Sequence, residues 1–461
     1  VSLAGEQRPP STSSSTTGEI FRRILVNAGK LLGGRAVNAV LSLAYTAIAA
    51  RALGVSGLGL LVMIHAFAQL LGDLVKFQSW QTVLQYGAEP LAERRVGDLQ
   101  RVVRFTFLLD TASGLVGMAV GVAGALALGP VLGWTAAQGP VAAAYALSVF
   151  FMTAAAPLGV LRLLDRFDVL AAQAAVMSLV RLAGCAVGYL MHAGLIWFLV
   201  VWALGTVAGF LMLAVAAWRE LGRDGLLEGF SWRGSYRIRE PGVWRFAWAT
   251  NFNATLGVAF THLVTLMVGG LLGPADAALW RIGRQVADAI AKPVRLLIPA
   301  LYPELVRLRV EKRERAMWRL TGRITLAASA VGLVLLGLSS VAGAPLLRLV
   351  MGAGFAAAAG IMTWQVAAAV INLISLPLEP MVISLGQAGA TVRVRVVVAA
   401  AYAAALPFLV RRFGLEAAGA ALVAASAAIA LGMLWLLLRR HRSGTAERRL
   451  IIPPAPGETG K

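Results

Sequence analysis

The amino-acid sequence predicts an all-α integral membrane protein with about 12 transmembrane helices, grouped as two six-helix lobes around a central cavity. Three observations lead there. Apolar runs of 18 or more residues recur from Leu31 to Leu438, each long enough to cross about 30 Å of hydrocarbon as a helix. Charged residues make up 14% of the chain and hydrophobic ones 59%, whereas soluble domains carry about 25% charge, so water is not its main solvent. Polar residues inside the runs repeat at one fixed offset between the two halves. The short alternating segments of a β-barrel are missing.

The spans fall at 31–50, 58–77, 103–128, 140–161, 169–191 and 195–218, then at 244–268, 277–301, 322–345, 358–386, 394–410 and 415–438. A polar tail, 1–28, precedes them; residues 1–19 lack the apolar core of a cleavable signal peptide and read as disordered. The halves are an N-lobe, 29–218, and a C-lobe, 244–438, joined by a linker, 219–243, and followed by a basic tail, 439–461. With the first two positions of each span counted as loop, 31 of the 42 Lys and Arg lie on the face of the termini. Four (Arg51, Arg348, Arg411, Arg412) lie on the other. That bias predicts cytoplasmic termini and accounts for the net charge of +20 without a nucleic-acid partner.

Several chemistries are excluded. The single Cys185 gives no intramolecular disulfide, and four His with one Cys give no metal-ligand spacing, so neither metal nor cofactor is expected. Loops opposite the termini are too short for a catalytic domain, and no nucleophile triad or paired carboxylates appear. The sequence therefore predicts that the protein is not an enzyme.

The informative residues are seven cations within spans: Arg35, Lys76, Arg181, Arg281, Arg284, Lys292 and Arg295. Facing lipid, they would cost on the order of 20 kcal/mol together, so they must mostly face a cavity or one another. At 100° per residue, Arg281, Arg284, Asp288, Lys292 and Arg295 fall on one side of span 8. His65, Gln69, Asp73 and Lys76 do the same on span 2. Span 1 adds Arg35, Asn38, Ser42, Tyr45 and Thr46, and span 7 adds Asn251, Thr255 and His262. A shift of 219 residues superposes His65 on Arg284, Gln69 on Asp288, Asp73 on Lys292 and Lys76 on Arg295. Two stripes in repeat register predict two lobes in the same orientation facing one net-positive cavity. A plainer alternative stays open, in which Arg284, Asp288 and Lys292 pair along one helix while Arg35 and Lys76 snorkel to headgroups. Arg181, near the middle of span 5, is either a substrate contact or the partner of a carboxylate such as Asp110. Pro377 and Pro380 should break span 10 around Glu379, which is either a proton carrier or an ion-pair partner. Asp73 and Asp288 are likewise candidates for coupling or charge pairing.

Four segments carry a family resemblance: Leu53-Gly54-Val55-Ser56-Gly57-Leu58-Gly59-Leu60 after span 1, Trp80-Gln81-Thr82-Val83-Leu84-Gln85-Tyr86 after span 2, Tyr302-Pro303-Glu304-Leu305 after span 8, and Phe413-Gly414-Leu415-Glu416-Ala417-Ala418-Gly419 before span 12. The chain resembles the polysaccharide flippases of the MOP exporter superfamily, relatives of the lipid II flippases and the multidrug MATE exporters. The resemblance implies a bacterial inner-membrane transporter that alternates between two open states. Its implied cargo is an oligosaccharide on a polyprenyl diphosphate, and its partners are membrane lipids and glycan-assembly proteins such as a polymerase. It also implies cavity cations on spans 1, 2, 7 and 8, where Arg35, Arg281 and Arg284 stand. A diphosphate is dianionic, and the arginine fork matches its oxygens. A multidrug or cation exporter of the same fold would want a cavity carboxylate, and span 1 has none. A membrane scaffold without transport would leave the polar stripes without a purpose.

Overall fold

The computed structural model describes residues 17–238, 242–295, 311, 314–384 and 387–450. Side chains are described for these except 17–36, 249, 252–261, 290–295, 314–315, 317–318, 384, 388 and 440–450. Every regular element among them is a helix. α1 (Thr17–Val75) holds the first two spans, and α2 (Ser79–Ala92) is a short helix where the sequence predicts loop. The N-lobe continues with α3 (Val96–Leu128), then a fourth span built from α4 (Gln138–Ala146), a 3-10 stretch (Leu147–Met152) and α5 (Ala155–Leu163). It ends with α6 (Phe167–Leu190) and α7 (Leu195–Arg223). The C-lobe repeats the order with α8 (Val243–Leu272), α9 (Pro274–Arg295) and α10 (Glu314–Met351). A 3-10 turn (Ala353–Ala357) then leads into a fourth span of α11 (Ala358–Ile374) and α12 (Leu378–Ser384), followed by α13 (Ala388–Phe413) and α14 (Leu415–Leu450).

Among the described residues, nine helices are long and apolar enough to cross a membrane, the first of them spanning both arms of α1. α8 (Val243–Leu272) and α9 (Pro274–Arg295), one face of which is polar, are the helices of the seventh and eighth spans. Twelve passes result, as the sequence predicts.

The repeat is written in the backbone. Spans 1 and 2 join through Gly54 alone (φ 68°, ψ −176°), and spans 7 and 8 through Gly273 (φ 105°, ψ 172°). Glycine is essentially the only residue that occupies this region without strain. These two glycines are 219 residues apart, the offset at which the polar stripes superpose. The loop predicted around 51–57 therefore shrinks to one residue, because a single glycine turns the chain and helix resumes at once.

The fourth span of each lobe is broken. In the C-lobe the break lies at Ser375–Pro377, where the prolines predict it. In the N-lobe, 140–161 is read from the sequence as one helix but divides at Thr153 and Ala154. Asp110 of α3 compensates there, its Oδ2 accepting from the Ala156 amide at 2.6 Å and its Oδ1 from Ser79 Oγ at 2.5 Å.

Burial separates central from peripheral helices. In the most apolar window of the segment containing both arms of α1, 56% of residues are buried, against 6% for α13 and 11% for α10, whose Leu333, Val334 and Val341 point outward. α1 packs on α6, α8 and α9, and α9 on α11. Leu58, Leu61, Met63 and Ile64 of α1 belong to the same buried cluster as Trp280 and Ile282 of α9. That packing brings the polar stripes together.

Candidate functional site

A cavity of about 210 Å³ lies between the lobes, lined from both arms of α1, from α6 and α7, and from α8 and α9. The first arm of α1 contributes Asn38, Ser42, Tyr45 and Thr46, and the second His65 and Gln69. Across from them stand His262 and Thr265 of α8 and Arg281, Gln285 and Asp288 of α9; Arg181 of α6 and Trp202 of α7 complete the wall. Spans 1, 2, 7 and 8 therefore converge as their polar phase predicts.

The two cavity arginines differ in their tethering. Arg181 is fixed, donating from Nη2 to Thr206 Oγ1 at 3.2 Å and to the Trp202 carbonyl at 3.3 Å, and from Nη1 to Tyr45 Oη at 3.5 Å. Its guanidinium carbon also lies 5.6 Å from the Trp202 ring centroid and 5.8 Å from that of Tyr45, within cation–π range. Asp110 is not its partner, which corrects the pairing alternative: that carboxylate is consumed by the break in the fourth span. Arg281 makes no hydrogen bond or ion pair among the described residues and lines the cavity.

The carboxylates are engaged. Asp73 Oδ2 lies 3.2 Å from His262 Nε2, an ion-pair distance that links the lobes if the imidazole is protonated. Asp288 lines the cavity with its Oδ1 3.4 Å from Arg284 Nε, an ion-pair contact at i, i+4 without hydrogen-bond alignment. Arg284 itself is not part of the lining. The eighth span thus realises both readings of its stripe, with Arg281 facing the cavity and Arg284 pairing along the helix. Glu379 accepts from Arg395 Nη2 at 2.5 Å, away from the cavity.

His65 Nδ1 and Tyr145 Oη are 2.7 Å apart, and Asn38 Oδ1 accepts from Ser178 Oγ. Gln285 Nε2 reaches across the lobes to Ser42 Oγ at 3.4 Å. Asn251 is buried in α8 without lining the cavity, and Lys76 follows the end of α1. The side chains of Arg35, Lys292 and Arg295 lie outside the described residues. Sequence reasoning did not single out Trp202, Tyr145 or Gln285. Gln285 was legible, four positions after Arg281 on the same face; Trp202, in an apolar run, looks like any lipid-facing aromatic.

No protein-family model matches the chain. The inner membrane protein YghQ of Escherichia coli (strain K12) is 32% identical over 333 residues, which cover 72% of this chain and 93% of that one. The inward-facing conformation of a multidrug resistance MATE family transporter of the MOP superfamily superposes with a TM-score of 0.67 at 12% identity, covering 87% of this chain and 94% of that one. A MOP superfamily transporter from Pyrococcus furiosus, described as having a binding pocket of reverse polarity that suggests a different function, superposes with a TM-score of 0.58 at 14% identity. It covers 91% of this chain and 95% of its own. At such identities the two structures show the fold, and the fold is that of the MOP superfamily.

Proposed function

We propose, from the premise that this chain belongs to the family of the inner membrane protein YghQ and has the MOP transporter fold, that it flips a polyprenyl-diphosphate-linked oligosaccharide between leaflets by alternating access. The observation that carries this reading is Arg281, a cation without hydrogen bond or ion pair among the described residues, facing a cavity between two lobes. Asp288 acts on this half-buried charge only at a distance, with no direct contact, so a bound anion can still offset its cost. Arg181 adds a second, fixed positive charge, and Asp288, the one carboxylate in the lining among the described residues, already faces Arg284. The field that remains for a ligand is positive.

Cavity size points to how cargo is held. About 210 Å³ suits a phosphate group and its waters but not an oligosaccharide, so the charged headgroup is gripped here and the glycan needs the lobes to part. A multidrug or cation exporter of the same fold is the second reading, favoured only by Asp73 and Asp288, and both already face cations or imidazole. The Pyrococcus furiosus protein supports variation in pocket polarity within this fold.

The test is accumulation of lipid-linked oligosaccharide on the cytoplasmic leaflet of cells that carry Arg281→Ala as their only copy. We expect build-up with the variant inserted at normal abundance. Unchanged glycan export would remove the headgroup role and bring the exporter reading forward.

A further inference from the structure

The lobes are shut against each other at the face opposite the termini, where the turns at Gly54, Gly133, Gly273 and Gly352 lie. A Cβ built on Gly59 of α1 would stand 1.6 Å from the carbonyl oxygen of Pro274, the first residue of α9, so the two backbones touch. Gly354, ahead of α11, leaves only 2.9 Å between such a Cβ and Val55 Cγ2. Gly270 of α8 faces the backbone of Val131 and Leu132. Across the same seam, Arg51 of α1 donates from Nε to the Val350 carbonyl at 3.1 Å and from Nη2 to the Leu349 carbonyl.

These contacts obey the internal repeat. Arg51 and Gly270 are 219 residues apart, as are Val131 and Val350. Each lobe therefore sets the end of its first span against the end of the other lobe's third span. The two halves of the seam differ in one respect: one carries an arginine, and the other a glycine with no side chain to donate. Arg51 is also one of only four Lys or Arg on this face, where the insertion bias disfavours cations. Leu349 and Val350 end α10, and the last carbonyls of a helix have no partner within it and attract a cation.

The geometry points to Arg51 as a latch between the lobes: its two hydrogen bonds to the end of α10 hold this face shut and break each time the cavity opens toward it. The inference rests on the alternating-access reading but not on the identity of the cargo.

The experiment is a spin-label distance measurement on the full chain in lipid nanodiscs without cargo. Labels go on Ala136→Cys and Ala357→Cys, both exposed on this face, in a Cys185→Ala background. The parent should give one short distance. Arg51→Ala, a change at an exposed residue, should raise the ratio of long to short distances about tenfold, as expected for the loss of charge-assisted hydrogen bonds. Arg51→Lys keeps the charge without the fork and should shift the ratio less. Arg348→Ala, which removes a neighbouring exposed cation with no bridge between lobes, should leave it unchanged. Gly59→Ala cannot keep its contact with Pro274 and serves as an independent opener. If Gly59→Ala lengthens the distance and Arg51→Ala does not, the latch is overturned while alternating access stands. Equal lengthening by Arg348→Ala would also overturn it, since charge on this face and not the bridge would then be responsible. If no variant lengthens the distance, the latch and the parting of the lobes fall together.

Discussion

Arg281 and Arg181 share a cavity, but their surroundings assign them different work. Arg181 is held by Thr206, the Trp202 carbonyl and two aromatic rings, so its removal strips packing as well as charge. Arg181→Ala should lower thermal stability by about 1–3 kcal/mol through lost hydrogen bonds and ring contacts, measured in detergent by tryptophan fluorescence. Arg281→Ala should leave the melting curve unchanged or raise it, because it removes a cation without an ion pair among the described residues. A marked loss of stability in Arg281→Ala would mean that its charge is satisfied within the fold and is not waiting for a ligand. That these residues sit in a cavity was legible from helical phase and from the cost of charge in lipid. Which of them is tethered was not, since the tethers come from Tyr45, Trp202 and Thr206, distant in sequence and unremarkable in an apolar run. Asp110 shows a different limit: its role depends on a helix break at Thr153 that Pro157 marks four residues on, since a proline cannot bond the i−4 carbonyl, but that signal is lost within an apolar run.

At the scale of elements, the hinges between paired spans are single glycines in a conformation nearly closed to other residues. Gly54 has open space around its Cα, so Gly54→Ala introduces no clash, only backbone strain of about 1–3 kcal/mol. Gly273→Ala meets the same situation in the repeat-equivalent hinge. Both should therefore lower the melting temperature by similar amounts, and a neutral result for either would show that its hinge relaxes into a longer loop. The 219-residue offset was visible in the sequence as a repeat of polar positions. Its expression as one-residue hinges was not, because hydropathy marks where an apolar run fades and cannot tell a loop from a kink. α2 escaped for the opposite reason: Ser79–Ala92 is too short and too polar on one side to register as a span.

For the whole molecule, twelve passes and two lobes followed from hydropathy and repeat, and positional charge bias predicts cytoplasmic termini. Reporter fusions after Lys461 and within 136–139 should report opposite sides of the membrane, with the C-terminus inside; a C-terminus outside would overturn the orientation. The lobes meet around a positive cavity that is too small for a glycan and closed at one face, so transport requires them to part. The most direct test of the anionic-headgroup mechanism uses purified protein in liposomes loaded with a fluorescent polyprenyl-diphosphate glycan, with transfer between leaflets followed by a quencher outside. Transfer by the parent and its loss, by about a hundredfold or more, in an Arg281→Ala variant of equal stability is the predicted result, in line with removing a charge-assisted contact to a buried phosphate. Undiminished transfer by Arg281→Ala, or transfer of a cationic dye in place of the glycan lipid, would contradict it.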